Sequence, residues 1–123
     1  MEDYLEHIYL FTKKNKRPIK TTELANLLNI NPSAITNMAK KLHLKGYVKY
    51  EPYIGLILTN DGEKIAEKII RRHKIIQSFL VDYLKLNEEE ASEEACKIEH
   101  SISDSTILKL EMFMENLKNK NNK

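Results

Sequence analysis

Only three glycines and three prolines interrupt the 123 residues of this chain, and their positions constrain the fold more than any composition figure does. Pro18, Pro32, Gly46, Pro52, Gly55 and Gly62 act as punctuation. Each removes a backbone donor or allows a turn that other residues resist. Leu5, Ile8, Tyr9 and Thr12 recur at helical spacing, which predicts a first helix over residues 2–14. Lys13-Lys14-Asn15-Lys16-Arg17-Pro18 ends it in a basic loop. Thr21 reads as the N-cap of a second helix with Leu24, Ala25 and Leu28 as its buried stripe, closed by Asn29-Ile30. Asn31-Pro32 opens a third helix, with asparagine as cap and proline at the first helical position. Its apolar face is Ile35, Met38, Ala39 and Leu42, and Gly46 ends it near Lys45. Two short strands, 47–50 and 56–59, flank Glu51-Pro52-Tyr53-Ile54-Gly55. This succession outlines a winged helix-turn-helix domain over residues 1–62.

The remainder, residues 63–123, reads as helical. Thr59 caps a fourth helix running to about Leu84, with the stripe Ile65, Ile69, Ile76, Leu80 and Tyr83. Asn87-Glu88-Glu89-Glu90 puts acids where a fifth helix begins, favourable against the helix dipole. A sixth helix, near Ser103 to Leu117, has Ile102, Leu110, Phe113 and Leu117 on one face and Leu108 and Met112 on another. Two apolar faces predict a helical dimer interface, with a frayed tail at Lys118–Lys123. The fold class is therefore mainly α, a winged helix followed by a helical domain.

With 41% hydrophobic and 31% charged residues the chain reads as a soluble globular protein. It has no apolar run of the ~18 residues that a membrane span requires. Glu2 and Asp3 start it without a signal-peptide layout, and the single cysteine, Cys96, excludes an internal disulfide framework. A reducing cytoplasm is the expected compartment. Net charge is only +2, but residues 1–60 carry nine Lys/Arg against five Asp/Glu, while residues 61–123 carry eleven against thirteen. The basic half suits an anionic partner.

The third helix offers that half a reading surface. A helix fits the major groove, where polar side chains reach base edges. Candidates are Asn31, Ser33, Thr36 and Asn37, with Lys40 and Lys41 near enough for phosphates. The loop residues Lys13, Lys14, Lys16 and Arg17 and the wing residues Lys49 and Tyr53 are candidates for backbone contacts. Solvated positions on an unrelated bundle would carry the same residue types; the order of short helix, capped helix and hairpin favours DNA.

Cys96, Glu99 and His100 stand at i, i+3 and i+4, stacking a thiol, a carboxylate and an imidazole on one helical face. Asp3 and Glu6 repeat the i, i+3 spacing on the first helix, and His73 lies at the edge of the fourth helix's stripe. This mixture of oxygen, nitrogen and sulfur suits divalent transition metals. Each piece has a plainer role. Asp3 and Glu6 favour a helix N-terminus, a cysteine is often a small buried hydrophobe, and a histidine on an apolar stripe is often a hydrogen-bonded core residue.

The ordered motifs resemble the diphtheria-toxin-repressor family of iron- and manganese-dependent transcriptional regulators. The resemblance runs from about Glu2 to Phe113. It is carried by Glu2-Asp3-Tyr4-Leu5-Glu6-His7-Ile8-Tyr9, Asn31-Pro32-Ser33-Ala34-Ile35-Thr36, Gly46-Tyr47-Val48 and Leu58-Thr59-Asn60-Asp61-Gly62. Arg72-His73 and Glu94-Ala95-Cys96-Lys97-Ile98-Glu99-His100 complete it. It implies a cytoplasmic homodimer whose metal corepressor, Fe²⁺ or Mn²⁺, promotes binding to palindromic double-stranded operators controlling metal uptake. Co²⁺, Ni²⁺ or Zn²⁺ would substitute in vitro. It also implies the ligand set. Asp3, Glu6, His73, Glu99 and His100 match manganese-type positions, whereas Cys96 matches the iron-type ligand. Asp3 departs from the iron type, which has methionine there, so the set is a hybrid. Gln77 and Ser92 stand where iron-type members place second-site ligands, and the chain ends after the sixth helix without the SH3-like domain of longer relatives.

The expected mechanism follows from this partition. The first helix belongs to the DNA-binding half, and Glu99 and His100 to the dimerising half, so a metal held by both would fix the spacing of two recognition helices. Half-sites one turn apart, about 34 Å, would then be reached together. Two other readings compete: a dimeric winged-helix regulator independent of metal, and a small enzyme using Cys96 and His100. The absence of a further acid–base set or a glycine-rich substrate loop argues against the enzyme.

Overall fold

The computed structural model describes residues 2–121. The end of the predicted frayed tail, Asn122 and Lys123, lies outside the described residues, as does Met1. Two compact units divide the chain, Met1–Lys68 and Ile69–Lys123.

The first unit contains α1 (Glu2–Asn15), α2 (Thr21–Leu28), α3 (Pro32–Leu44), β1 (Val48–Glu51), β2 (Gly55–Leu58) and the start of α4 (Asn60–Asp82). Leu5 and Ile8 of α1, Leu24 and Ala25 of α2, Ile35, Ala39 and Leu42 of α3, and Val48, Leu56 and Leu58 of the hairpin share one core. Ala66 joins it from the first turns of α4. Burying each such large side chain contributes roughly 1.5–3 kcal/mol.

Two local expectations need correcting. The N-cap of α2 is Lys20, not Thr21: Lys20 has extended backbone (φ −76°, ψ 152°) and Thr21 is already helical. The Lys20 side chain has no acceptor to offer, so the reciprocal bond holds the turn, with the Lys20 backbone N–H donating to Glu23 Oε1 at 3.0 Å. The hairpin strands are also offset by one residue. Tyr47 stays out of the ladder because its N–H donates to Leu42 O and its carbonyl accepts from Thr59 N–H, each at 3.0 Å. Ile19 adds a bridge to Leu56 that no local pattern announced.

Two glycines make this packing possible. A Cβ on Gly62 would stand 2.0 Å from the Tyr47 carbonyl oxygen, and one on Gly55 2.3 Å from that of Ile19. Gly55 also has φ +121°, where a side chain is strained.

The second unit comprises the rest of α4, α5 (Glu88–Glu99) and α6 (Asp104–Asn121). Ile76, Leu80, Ala91, Ala95 and Ile107 form its core. Helix α4 stops at Asp82, two residues short of expectation, because Lys85 turns left-handed at φ +63°. The Leu86 N–H then reaches back to Leu80 O at 3.1 Å, closing the turn that follows the helix. Helix α6 also presents a different face inward. Ile107 is 6% exposed and Phe113 54%, so Phe113 parts from the face on which its spacing grouped it with Leu110 and Leu117. At 100° per residue, Leu110, Met114 and Leu117 continue the face of Ile107 and are half-buried. Ile102 precedes the helix. Leu108, Met112 and Phe113 point outward.

Candidate metal centre and nucleic-acid interface

Ser92, Cys96 and Glu99 lie at i, i+4 and i+7 of α5 and therefore share one face. His73 of α4 meets that face. Its Nδ1 lies 2.8 Å from Glu99 Oε2 and 3.8 Å from Cys96 Sγ, and its Nε2 lies 3.2 Å from Ser92 Oγ. His100, the C-cap of α5, sets Nε2 3.3 Å from the other Glu99 oxygen. Glu99 is 1% exposed, the one buried charged residue among those described. A carboxylate withdrawn from water so far is costly unless partners replace its hydration, and two imidazoles flank this one.

Arg72 fixes the end of α5. Its Nη1 donates to Glu99 O and Ile102 O, both at 3.0 Å, and its Nη2 pairs with Asp104. A guanidinium at a helix C-terminus satisfies carbonyls that the helix leaves open. The chain direction through Glu99 and His100 is thereby set from α4.

The donor set fits a divalent metal. One ligand atom each from His73, Cys96 and Glu99 lie within 4.8 Å of one another. Bond lengths of about 2.0–2.3 Å to such donors put neighbouring ligand atoms roughly 3–4 Å apart, so small side-chain rotations suffice. Cys96 is exposed at the mouth of this cluster, which removes its plainer role as a buried hydrophobe. In the first unit, α1 carries Asp3 exposed and Glu6 half-buried.

The nucleic-acid candidates divide by how free their side chains are. Asn31 caps α3, its Oδ1 accepting from Ser33 N–H and Ser33 Oγ–H at 3.0 Å each, and Thr36 Oγ1 donates to Pro32 O at 3.1 Å. Asn37, Lys40 and Lys41 are exposed opposite the buried Ile35, Ala39 and Leu42. Lys49 of β1 and Lys16, at φ +54°, are exposed too. Tyr53 stands fully exposed at the hairpin tip with φ +70°. Arg17 is committed locally. Its guanidinium forks onto Glu23 at 2.9 and 2.7 Å and lies 4.8 Å from the Phe11 ring. Together with the Lys20 N–H, it holds the Glu23 carboxyl down to about 2. Sequence reasoning missed Lys20 and Thr22, which with Thr21, Tyr50 and Tyr53 line a cleft of about 480 Å³. It also gave no role to Ser92 beyond a departure from the family, or to Arg72. Ser92 was legible one turn before Cys96, whereas the carbonyls that Arg72 binds lie 27 and 30 residues away.

Residues 1–56 match the family model described as the iron dependent repressor N-terminal DNA binding domain, and residues 59–122 its metal binding and dimerisation domain. The chain belongs to the iron-dependent-repressor family. This is the diphtheria-toxin-repressor family, and its members are metal-dependent transcriptional regulators, not enzymes. A regulator from Methanocaldococcus jannaschii, described as an uncharacterised helix-turn-helix type, is 63% identical over 98% of this chain and 96% of its own length. The MntR regulator of Bacillus subtilis is 36% identical over 87% of this chain and 74% of its own. The solved manganese regulator SloR superposes with a TM-score of 0.80 at 32% identity, covering 93% of this chain. This repressor-family chain spans about half, 53%, of the length of SloR. Among the described residues no helix is long and apolar enough to cross a membrane.

Proposed function

We propose that this protein represses genes of metal-ion homeostasis as a homodimer on palindromic operator DNA, with Fe²⁺ as its corepressor and Mn²⁺ as the next-ranked ion. The observation that carries the proposal is the convergence of His73, Cys96 and Glu99 donor atoms within 4.8 Å around a buried carboxylate. His73, Cys96 and Glu99 would hold the ion, which would supply the positive charge to balance the buried Glu99 carboxylate. The thiolate ranks the ions. Sulfur favours Fe²⁺, Co²⁺, Ni²⁺ and Zn²⁺ over Mn²⁺, whereas carboxylates suit Mn²⁺ and Fe²⁺. Iron satisfies both preferences. Among the relatives, the iron-dependent-repressor domains speak for iron, and SloR, a manganese regulator, speaks for manganese.

His100 joins the set through its contact with Glu99. Asp3 and Glu6 join it on their i, i+3 spacing and on the sequence resemblance. With them the DNA-binding half responds to occupancy, and only the ordered dimer fits both half-sites, so ligand binding shifts a population. On DNA, Asn37 and the outer residues Ser33 and Thr36 face bases, while Asn31 sets the start of the helix. Lys40, Lys41, Lys49, Lys16 and Tyr53 contact the backbone, and Arg17 orders the loop.

The test is the molar mass and operator affinity of chelator-treated protein. It is titrated anaerobically with Fe²⁺ and, separately, with Mn²⁺, Co²⁺ and Zn²⁺. The expected result is a dimer whose palindrome affinity rises with metal and is highest with Fe²⁺. Affinity unchanged by chelator would overturn the proposal and leave a metal-independent winged-helix regulator.

A further inference from the structure

His73 directs its two ring nitrogens at different partners. Nδ1 faces Glu99 Oε2 at 2.8 Å and Cys96 Sγ at 3.8 Å, while Nε2 faces Ser92 Oγ at 3.2 Å. A neutral imidazole carries its proton on one nitrogen only. Beside the Glu99 carboxylate that proton belongs on Nδ1, because two lone pairs 2.8 Å apart would repel. Nε2 then presents a lone pair, and Ser92 donates its hydroxyl proton to it. When Nδ1 serves as a metal donor the proton stands on Nε2, and Ser92 must accept instead. A serine hydroxyl fills both roles by rotating about one bond, since it has one O–H and two acceptor lone pairs.

We propose that Ser92 is the positioning residue for His73: its hydroxyl holds the imidazole in both tautomers and thereby presents Nδ1 to a metal shared with Cys96 and Glu99. The inference rests on the metal-centre reading above. The tautomer change moves the ring proton from Nδ1 to Nε2 and the Ser92 hydroxyl turns to match, so neither tautomer leaves Nε2 without a partner. Ser92 reaches His73 from the same face of α5 that carries Cys96 and Glu99, so one rigid helix sets the ring's orientation and supplies two neighbouring donors. It is half-buried, which limits competition from water. Metal-bound histidines ordinarily rest their second nitrogen on such a group, and losing it typically weakens metal binding about 10–100-fold.

The experiment uses the full chain and Co²⁺, whose absorption reports thiolate ligation. Co²⁺ affinity is measured by chelator competition, and the His73 ring ¹⁵N shifts are read by NMR on metal-free protein. Ser92→Ala is expected to lower Co²⁺ affinity about 10–100-fold and to move the His73 Nε2 shift, while Ser92→Thr restores both. Ser92→Val, equal in shape to Ser92→Thr but without the hydroxyl, replaces Ser92→Ala should that variant fail to fold. Wild-type affinity and wild-type ¹⁵N shifts in the hydroxyl-free variants would overturn the proposal, as would a Thr variant behaving like Val. If the wild type binds no Co²⁺, the metal-centre reading fails, while the metal-free ¹⁵N shifts still decide whether Ser92 holds His73.

Discussion

Glu23 is the residue where charge and local structure are most tightly joined. Its carboxylate accepts the Arg17 fork and the Lys20 N–H together, and its pKa falls from 4.5 to about 2. A folded-state pKa below the unfolded value means stability that is present above the ordinary carboxylate range. It is lost as pH drops from about 4.5 toward about 2. The pair is largely solvated, so salt should weaken the effect. In Glu23→Gln, a thermal unfolding series by circular dichroism should therefore show a shallower loss of Tm across that window than wild type. Equal slopes would dissociate Glu23 from the acid response. The sequence announced Arg17 as a cation for DNA, but its spacing six residues before Glu23 carries no helical regularity, so the ion pair stayed hidden.

At the scale of elements, legibility followed the range of the signal. Asn31, Thr59 and Asn87 act two to three residues ahead of themselves, accepting from Ser33, Gly62 and Glu90 N–H, and local patterns found all three helix starts. The Ile19–Leu56 bridge and the contacts of His73 with α5 span dozens of residues, beyond any periodicity argument. Cys96, Glu99 and His100 were visible because one helix carries or ends on all three. The junction of hairpin and α4 gives a sharp prediction. Gly62→Ala puts a methyl 2.0 Å from backbone, and neither Tyr47 nor the helix can yield cheaply, so a loss of about 2 kcal/mol is expected. Gly46→Ala meets nothing within 4 Å and carries only the strain of φ +81°, about 1 kcal/mol. Denaturant midpoints should fall further for Gly62→Ala than for Gly46→Ala, and the reverse order would mean that the junction is plastic.

For the whole molecule, the largest gap between sequence and structure is α6. Its sequence has apolar residues at several phases, and only packing against Ile76 and Leu80 selects Ile107 as the inward residue. The outward Leu108, Met112 and Phe113, each 53–54% exposed, form the face we assign to dimerisation. Replacing Met112 and Phe113 together by glutamate should halve the molar mass in sedimentation experiments and leave helix content unchanged; an unaltered dimer would move the interface elsewhere. Cys96 has a different consequence for the whole chain. It is the sole sulfhydryl in 123 residues, and it is exposed. Every molecule thus carries a single countable tag position inside the candidate centre. After a brief pulse of alkylating reagent, intact mass spectra should sort the molecules into two peaks, tagged where the centre was open and untagged where it was filled. The regulator would then report its own occupancy, one molecule at a time, in a mixture that no bulk titration resolves.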